Sequence, residues 1–283
     1  MPSETETIEI SEHLVTELRG RFLCQYSTSH DLFDETDITV IRNNDLILRR
    51  YLQAKSGNVE EALKMLTTAM KWRKQYGVNQ LTERSFPREY YEMGNIFSYG
   101  QDLNGAQMII LRVKANKRIG DWTELLKKYI VFLIEKESIR FEKNENKGVC
   151  IVFDCNGAGI TNVDIDLLSF IVQTLRDYYP SLLQSVVVNE LPWVLQYVFK
   201  LVQTWLPKEQ QQMLHLVNKK DINQYIAAQQ LPDFIGGTNP DSYRICPKTA
   251  LSAQDLAKEL GIKQKEVDRL LNHLEPYLKS NWF

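Results

Sequence analysis

No apolar run in this 283-residue chain approaches the roughly 20 residues that a membrane-spanning helix needs, so no span is expected. Cysteine is scarce. Cys24, Cys150, Cys155 and Cys246 form no C-x-x-C pair, and their spacing suits neither a zinc site nor a disulfide framework. They are expected to be buried free thiols in a reducing cytosol. His13, His30, His215 and His273 are scattered without metal-ligand spacing. No G-x-S-x-G elbow, no H-E-x-x-H and no complete P-loop occurs. Gly157-Ala-Gly159 opens like a dinucleotide fingerprint, but the third glycine position is Asn162, which leaves a tight strand-to-helix turn. Asp154, Asp164 and Asp166 are read as helix caps. With no catalytic constellation, the expectation is a protein that is not an enzyme and that needs no metal or cofactor beyond a bound ligand.

An excess of one charge is also missing. Against 36 Asp and Glu stand 34 Lys and Arg, a net charge of −2, which predicts no strong global attraction to nucleic acid or to an anionic membrane. Such binding would have to come from local patches: Arg49-Arg50, Lys71/Arg73/Lys74, Lys114/Lys117/Arg118, Lys127-Lys128 or Lys219-Lys220. Each reads first as a solvated face, although some could steer a lipid headgroup or an anionic surface. Residues 1–10 are acidic and polar without an apolar segment, so no secretory signal is expected.

A hydrophobic share of 43% with 25% charged residues argues for a globular fold over extensive disorder. Residues 8–77 read as helices: Leu14, Leu18 and Phe22 recur at helical spacing, as do Leu46, Leu48, Tyr51 and Leu52. A further helix over 59–76 ends at Gly77, well placed for a left-handed cap. The pattern then changes. Met108-Ile-Ile-Leu-Arg-Val113 reads as a short strand after the turn Asp102-Leu-Asn-Gly105, and Val149-Cys-Ile-Val-Phe153 as a strand covered on both faces. Ser185-Val-Val-Val-Asn189 and Met213-Leu-His-Leu-Val217 are two more, with helices over 122–142 and 164–179 between. Strand and helix in alternation imply right-handed crossovers and a largely parallel sheet, an α/β fold class. After Gly236-Gly237, Ser252 and Asp255 form a capping box for a short helix ending at Gly261, with a second helix over 264–274.

Residues 191–206 stand out as a helix between Pro192 and Pro207 in which only Gln196, Lys200, Gln203 and Thr204 are polar. Val194, Val198, Leu201, Val202 and Trp205 form one stripe, with Leu195 and Phe199 toward another side. An ordinary surface helix needs a single apolar stripe. Two readings remain: a fully buried core helix, or a helix that covers an apolar cavity with one face and meets a bilayer with the other. Trp193, Tyr197 and Trp205 suit the second, because such rings favour the membrane interface.

Asp45-Leu-Ile-Leu-Arg-Arg-Tyr-Leu52, Val59-Glu-Glu-Ala-Leu63 and Trp72-Arg-Lys74 resemble the helical N-terminal region of CRAL-TRIO proteins. Tyr178-Tyr-Pro180, Asn189-Glu-Leu-Pro192 and Leu231-Pro-x-x-x-Gly236-Gly237 resemble the lipid-binding domain that follows. The resemblance implies an N-terminal helical region over 8–77, a lipid-binding domain over 88–245 and, beyond the likeness, a helical hairpin over 250–283. It implies a mostly parallel sheet flooring a lipid pocket through Ile151, Phe153 and Val187, gated by Val194, Leu195, Val198, Phe199 and Val202. The partners implied are a single hydrophobic lipid such as a phospholipid and, transiently, a membrane surface, in a cytoplasmic protein. Where inositol-lipid members carry an acidic residue and a lysine, this chain has Ser181 and Met213. The stretch after the gate, Lys208-Glu-Gln-Gln-Gln-Met213, keeps one basic residue. The polar candidates left for a headgroup are Ser181, Gln210 and Lys208. The hairpin is similar to the start of winged-helix nucleic-acid binders, but Asp268 and Asn272 stand at the contact positions, so no nucleic acid is expected. A packed hairpin, or a surface that recruits a protein partner in a lipid-sensing adaptor, is the expectation there.

Overall fold

The structure, a computed structural model, describes residues 9–279, so the readings made on residues 1–8 and 280–283 lie outside the described residues. The chain forms two compact units. One runs to Gln80 and takes in Gln173–Leu182; the other comprises Leu81–Val172 and the chain from Leu183 on.

The first unit is built on α1 (Glu12–Ser27), α2 (Glu35–Asn43), α3 (Asp45–Ala54) and α4 (Val59–Tyr76). Val15, Leu18, Phe22 and Tyr26 fall at the three-and-four spacing that makes one buried stripe on α1. Asp34, Asn44 and Asn58 accept first-turn N–H groups of α2, α3 and α4, which would otherwise lack partners. Gly77 closes α4 at φ +75. The Tyr178-Tyr-Pro180 segment belongs to this unit: Trp72 stacks on Tyr178 at 4.0 Å, and the Tyr51 hydroxyl donates to the Tyr178 carbonyl at 3.0 Å.

Two expectations fail in this unit. Arg50 and Arg73 were read as solvated, yet both are buried. Arg50 Nε donates to the Pro180 carbonyl at 3.0 Å, and Arg73 pairs with buried Asp37 at 2.9 Å. A buried cation persists only where partners replace its water, and these partners come from distant positions in the chain. Cys24 is exposed, because it falls off the stripe set by Leu18, Phe22 and Tyr26. The four cysteines are free; Cys150 and Cys155 are buried, and burial pushes both thiols up to about 12.

The second unit opens with α5 (Arg88–Met93) and β1 (Ile96–Gln101). It continues through β2 (Gln107–Arg112), α6 (Gly120–Glu142), β3 (Val149–Asp154) and α7 (Ile165–Gln173). β4 (Leu183–Asn189), α8 (Gln196–Thr204), α9 (Lys208–Gln211) and β5 (Leu214–Val217) follow, and α10 (Ala253–Leu260) and α11 (Gln264–Lys279) end it. The sheet order is β1-β2-β3-β4-β5, with β1 antiparallel to β2 and the remaining pairs parallel. This is the mixed α/β fold expected.

Several details differ from the expectation. β1 had no strand signature, because Ile96-Phe-Ser-Tyr-Gly-Gln101 mixes polar residues with a glycine. Gly100 sits at φ +54, where a Cβ would come 2.2 Å from the Gln230 carbonyl oxygen. The helix over 164–179 ends as α-helix at Gln173 and continues as a π-turn over Thr174–Tyr178. Asp164 caps α7 by accepting from the Leu167 N–H, whereas Asp166 pairs with Arg118 and Asp154 is a buried strand residue. The hairpin, by contrast, packs into the second unit as one of its two expected readings had it. Glu89 accepts from the Ala253 N–H at 2.8 Å, the Trp122 indole donates to the Glu266 carbonyl at 3.1 Å, and Val267, Leu270 and Leu274 are buried.

Candidate lipid-binding site

The three parallel connections step in one direction across the sheet, from β2 to β3, β3 to β4 and β4 to β5. Right-handed crossovers that all step the same way put α6, α7 and α8 on the same face. α6 packs on β1, β2 and β3. The other face is closed by residues 222–235, whose Ile222, Ile226, Leu231 and Ile235 form one buried cluster with Met108, Ile110, Cys150, Val152, Val187 and Val217. Register then assigns every strand residue. Val152 pairs with Val187, and Ile151 and Phe153 pair with Val186 and Val188. Because side chains alternate, Ile151 and Phe153 occupy the helix face while Val187 occupies the closed one. The sequence reading that put Val187 beside them is corrected: its side chain is sealed against residues 222–235. Val186 and Val188 take its place.

On the helix face, Val186 and Val188 of β4 are buried, and the incomplete cover falls at Phe153 and on β5. Ile109 and Ile151 are buried, Phe153 and Leu214 are half-buried, and Leu216 is 52% exposed. α7 carries Leu168 and Val172, also half-buried, on one side of its buried Leu167 and Ile171, whereas Phe170 turns the other way, toward Lys127 of α6. The sequence reading missed these residues, although the apolar run Ile165-Asp-Leu-Leu-Ser-Phe-Ile-Val172 was the signal available.

The segment read as one helix over 191–206 divides into a 3-10 turn, Trp193–Leu195, and α8. Pro192 serves as the cap of the turn with extended backbone, which delays α-helical geometry to Gln196. Leu195 is buried and Val194 half-buried, but α8 itself carries no fully buried residue, so the core-helix reading fails. Val198, Phe199, Leu201 and Val202 are half-buried along one side. Trp193 (83% exposed) and Tyr197 (75%) line up with Lys200 and Thr204 on the other. Trp205 does not join them. Eight residues past Tyr197, it is rotated by about 80° around the helix and is half-buried.

Both ends of this segment are tied. Glu190, at φ +52, accepts the Lys219 N–H at 2.6 Å and donates its own N–H to the Val217 carbonyl at 2.9 Å. At the far end the Gln211 amide donates to the carbonyls of Gln203 and Leu206 at 3.0 and 3.1 Å, satisfying acceptors that a helix end leaves open. Gln211 is a positioning residue that composition could not single out. Of the headgroup candidates, Lys208 is exposed and Gln210 half-buried on α9, and Ser181 belongs to the other compact unit.

Polar groups at the carboxyl end of the closed face serve packing. Asp154, raised by burial, accepts from the Asn189 amide at 3.4 Å, and the Arg112 guanidinium lies 3.7 Å from the Phe234 ring centroid. Gly236 takes φ +93. At Gly237 a Cβ would sit 1.9 Å from the Leu231 carbonyl oxygen, which explains the glycine pair after Leu231-Pro232. Among the described residues, no helix is long and apolar enough to cross a membrane.

The chain is 27% identical over 236 residues to a CRAL-TRIO domain-containing protein of Schizosaccharomyces pombe, covering 78% of this chain and 52% of that one. It is 22% identical over 205 residues to a phosphatidylinositol transfer protein of Eremothecium gossypii, covering 68% and 47%. The chain thus spans about half the length of these two curated relatives. The crystal structure of Sfh5 superposes with a TM-score of 0.56 at 13% identity, covering 92% of this chain and 99% of that one, a likeness of fold. The CRAL/TRIO domain model matches residues 91–237, which hold the whole sheet, the tied helix and the closing segment. With more than half of its length matched, this chain belongs to the CRAL/TRIO domain family.

Proposed function

We propose that the chain is a non-enzymatic carrier. It binds one phospholipid or similar lipid between the helix face of the sheet and α8, and passes it between membranes as α8 moves. The observation that carries this reading is the pair of incompletely covered apolar surfaces: Phe153, Leu214 and Leu216 on the sheet, and Val198, Phe199 and Val202 on α8. Burial of acyl chain is worth about 0.8 kcal/mol per methylene, so closing both surfaces over one lipid competes with a bilayer. The ties at Glu190 and Gln211 make the two ends natural hinges for the stretch between them. Trp193 and Tyr197 would meet the bilayer interface, in a cytoplasmic protein that associates with membranes peripherally. The relative described as a phosphatidylinositol transfer protein supports a phospholipid as cargo. A finer likeness, to the lipid-binding domain of motile sperm domain-containing protein 2, rests on Leu191-Pro-Trp193, Lys200, Thr204-Trp-Leu206 and Gly236-Gly-Thr-x-Pro240.

Native mass spectrometry with lipid extraction, on protein purified from a eukaryotic host, tests the reading. A single lipid class at close to one per chain is expected. A folded protein with no lipid, and none acquired from vesicles of phosphatidylcholine and phosphatidylinositol, would overturn it.

A further inference from the structure

Because β2, β3, β4 and β5 are parallel, their carboxyl ends share one edge of the sheet. Two loops leave that edge beside each other. The loop after β2 contains the turn Val113–Ala115 and exposes Lys114, Lys117 and Arg118. The loop after β3 contains the turn Ile160–Asn162, with Ile160 at its tip 67% exposed and Ile165 exposed behind it. A single exposed isoleucine needs no explanation. This one sits on a frame. The Asn162 amide donates to the Lys114 carbonyl at 2.8 Å, the Asn116 amide donates to the Asn162 carbonyl at 2.9 Å, and the Gly159 N–H donates to Asn162 Oδ1 at 2.9 Å.

Lys114 lies against that frame. A Cβ placed on Gly157 would meet Lys114 Cδ at 3.4 Å and Nζ at 3.6 Å, so the lysine crosses the second loop. From beneath, α11 braces the first loop: His273 Nε2 lies 2.9 Å from the Ala115 carbonyl oxygen, and the Tyr277 hydroxyl donates to the Lys114 carbonyl at 3.4 Å. Arg118 is neutralised by Asp166 at 2.7 Å, while Lys114 and Lys117 have no carboxylate partner among the described residues. Lys219 and Lys220, after β5, and Trp193, after β4, leave from the same edge.

We propose that these two loops, 113–119 and 157–165, form a fixed docking platform for a bilayer surface carrying anionic phospholipid. Ile160 enters the interfacial layer, and Lys114 and Lys117 meet the headgroups. Aliphatic insertion flanked by lysines is the combination that binds such a surface, each part being weak alone. The platform is held by side-chain amides and by α11, so it can orient the edge bearing Trp193 toward the bilayer while α8 stays free to move. The hairpin then has a role in the second unit, as the brace. The proposal rests on the carrier reading for its purpose, but its binding is measured separately.

The test is co-sedimentation of the full chain with vesicles of phosphatidylcholine, with and without phosphatidylserine, for the parent protein, Lys114→Gln/Lys117→Gln and Ile160→Ser. Each lysine lost is expected to weaken binding to phosphatidylserine vesicles about fivefold. Ile160→Ser is expected to weaken it about tenfold. Lys114→Arg/Lys117→Arg should bind as the parent does, and co-purified lipid should persist in every variant. Equal binding by the parent, the glutamine pair and Ile160→Ser would overturn the platform, as would failure of the arginine pair to bind. Variant-sensitive binding by a protein that carries no lipid would uphold the platform and remove the carrier reading.

Discussion

The two faces of the sheet are made by the same strands and end in opposite conditions. Phe97, Ile110, Val152 and Val187 point to one side and are sealed by residues 222–235, with Phe97 and Tyr243 stacked at 4.8 Å and Arg112 over Phe234. Ile109, Phe153, Val186, Leu214 and Leu216 point to the other, where cover is incomplete at Phe153 and on β5, and α8 buries none of its own residues completely. The closed face is the less apolar of the two, since it also holds Arg112, Asp154, Ser185, Asn189 and His215, so the difference in burial lies in what covers each face. Short turns locked by the Gly236-Gly237 backbone close one face. A helix tied at Glu190 and Gln211 borders the other. Under the carrier reading, stability and ligand binding fall on two sides of one sheet.

The largest test of that separation pairs one charge on each side. Val152→Asp puts an unpartnered carboxylate into the sealed cluster and is expected to leave no folded protein. Phe199→Asp, on a helix with no fully buried residue, is expected to fold normally by circular dichroism yet purify without lipid. A lipid-loaded Phe199→Asp protein would remove α8 from the site. Truncations give a smaller contrast. Leu231→Ala should cost about 2–5 kcal/mol in urea unfolding. Leu216→Ala, half in solvent, should cost about 1 kcal/mol or less. Equal losses would mean that the helix face is packed as tightly as the closed one.

The smallest expected effect concerns the brace on the loop after β2. Burial holds His273 below the ordinary imidazole value of 6.5, with the Ala115 carbonyl opposing and Lys117 assisting the shift; the Tyr277 ring packs 5.6 Å away. Below pH 6.5 the unfolded chain therefore binds a proton more readily than the folded one, so stability falls as pH drops below that value and is regained above it. His215, held down by burial beside the Tyr225 ring, adds to the same slope. Thermal melts of His273→Gln at pH 7 and pH 5 should show a smaller difference than the parent, and an unchanged difference would mean that His273 does not contribute.

Much of the fold is legible because parallel strands buried on both faces leave unbroken apolar runs: residues 149–153 and 185–189 are strands on that ground alone. β1 lacks the signal, since its place beside β2 tolerates Ser98 and Gly100. The 191–206 segment is legible as exceptional from its composition, but its split at Gln196 and the tie from Gln211 depend on local backbone geometry. Arg50 and Arg73 look like surface charge until Pro180 and Asp37 are beside them.

The sequence by itself determined the kind of most major elements, β1 excepted, the parallel sheet and the unusual apolarity of residues 191–206, because local periodicity and composition carry that information. Which side of the sheet is sealed, and with it the place of Val187, was decided only by tertiary structure. A run such as Val149-Cys-Ile-Val-Phe153 has no polar alternation to mark its two faces, so a shift of one residue would exchange them without changing the pattern. What fixes the choice is pairing in register with β2 and β4, and the return of residues 222–235 across one face from far along the chain.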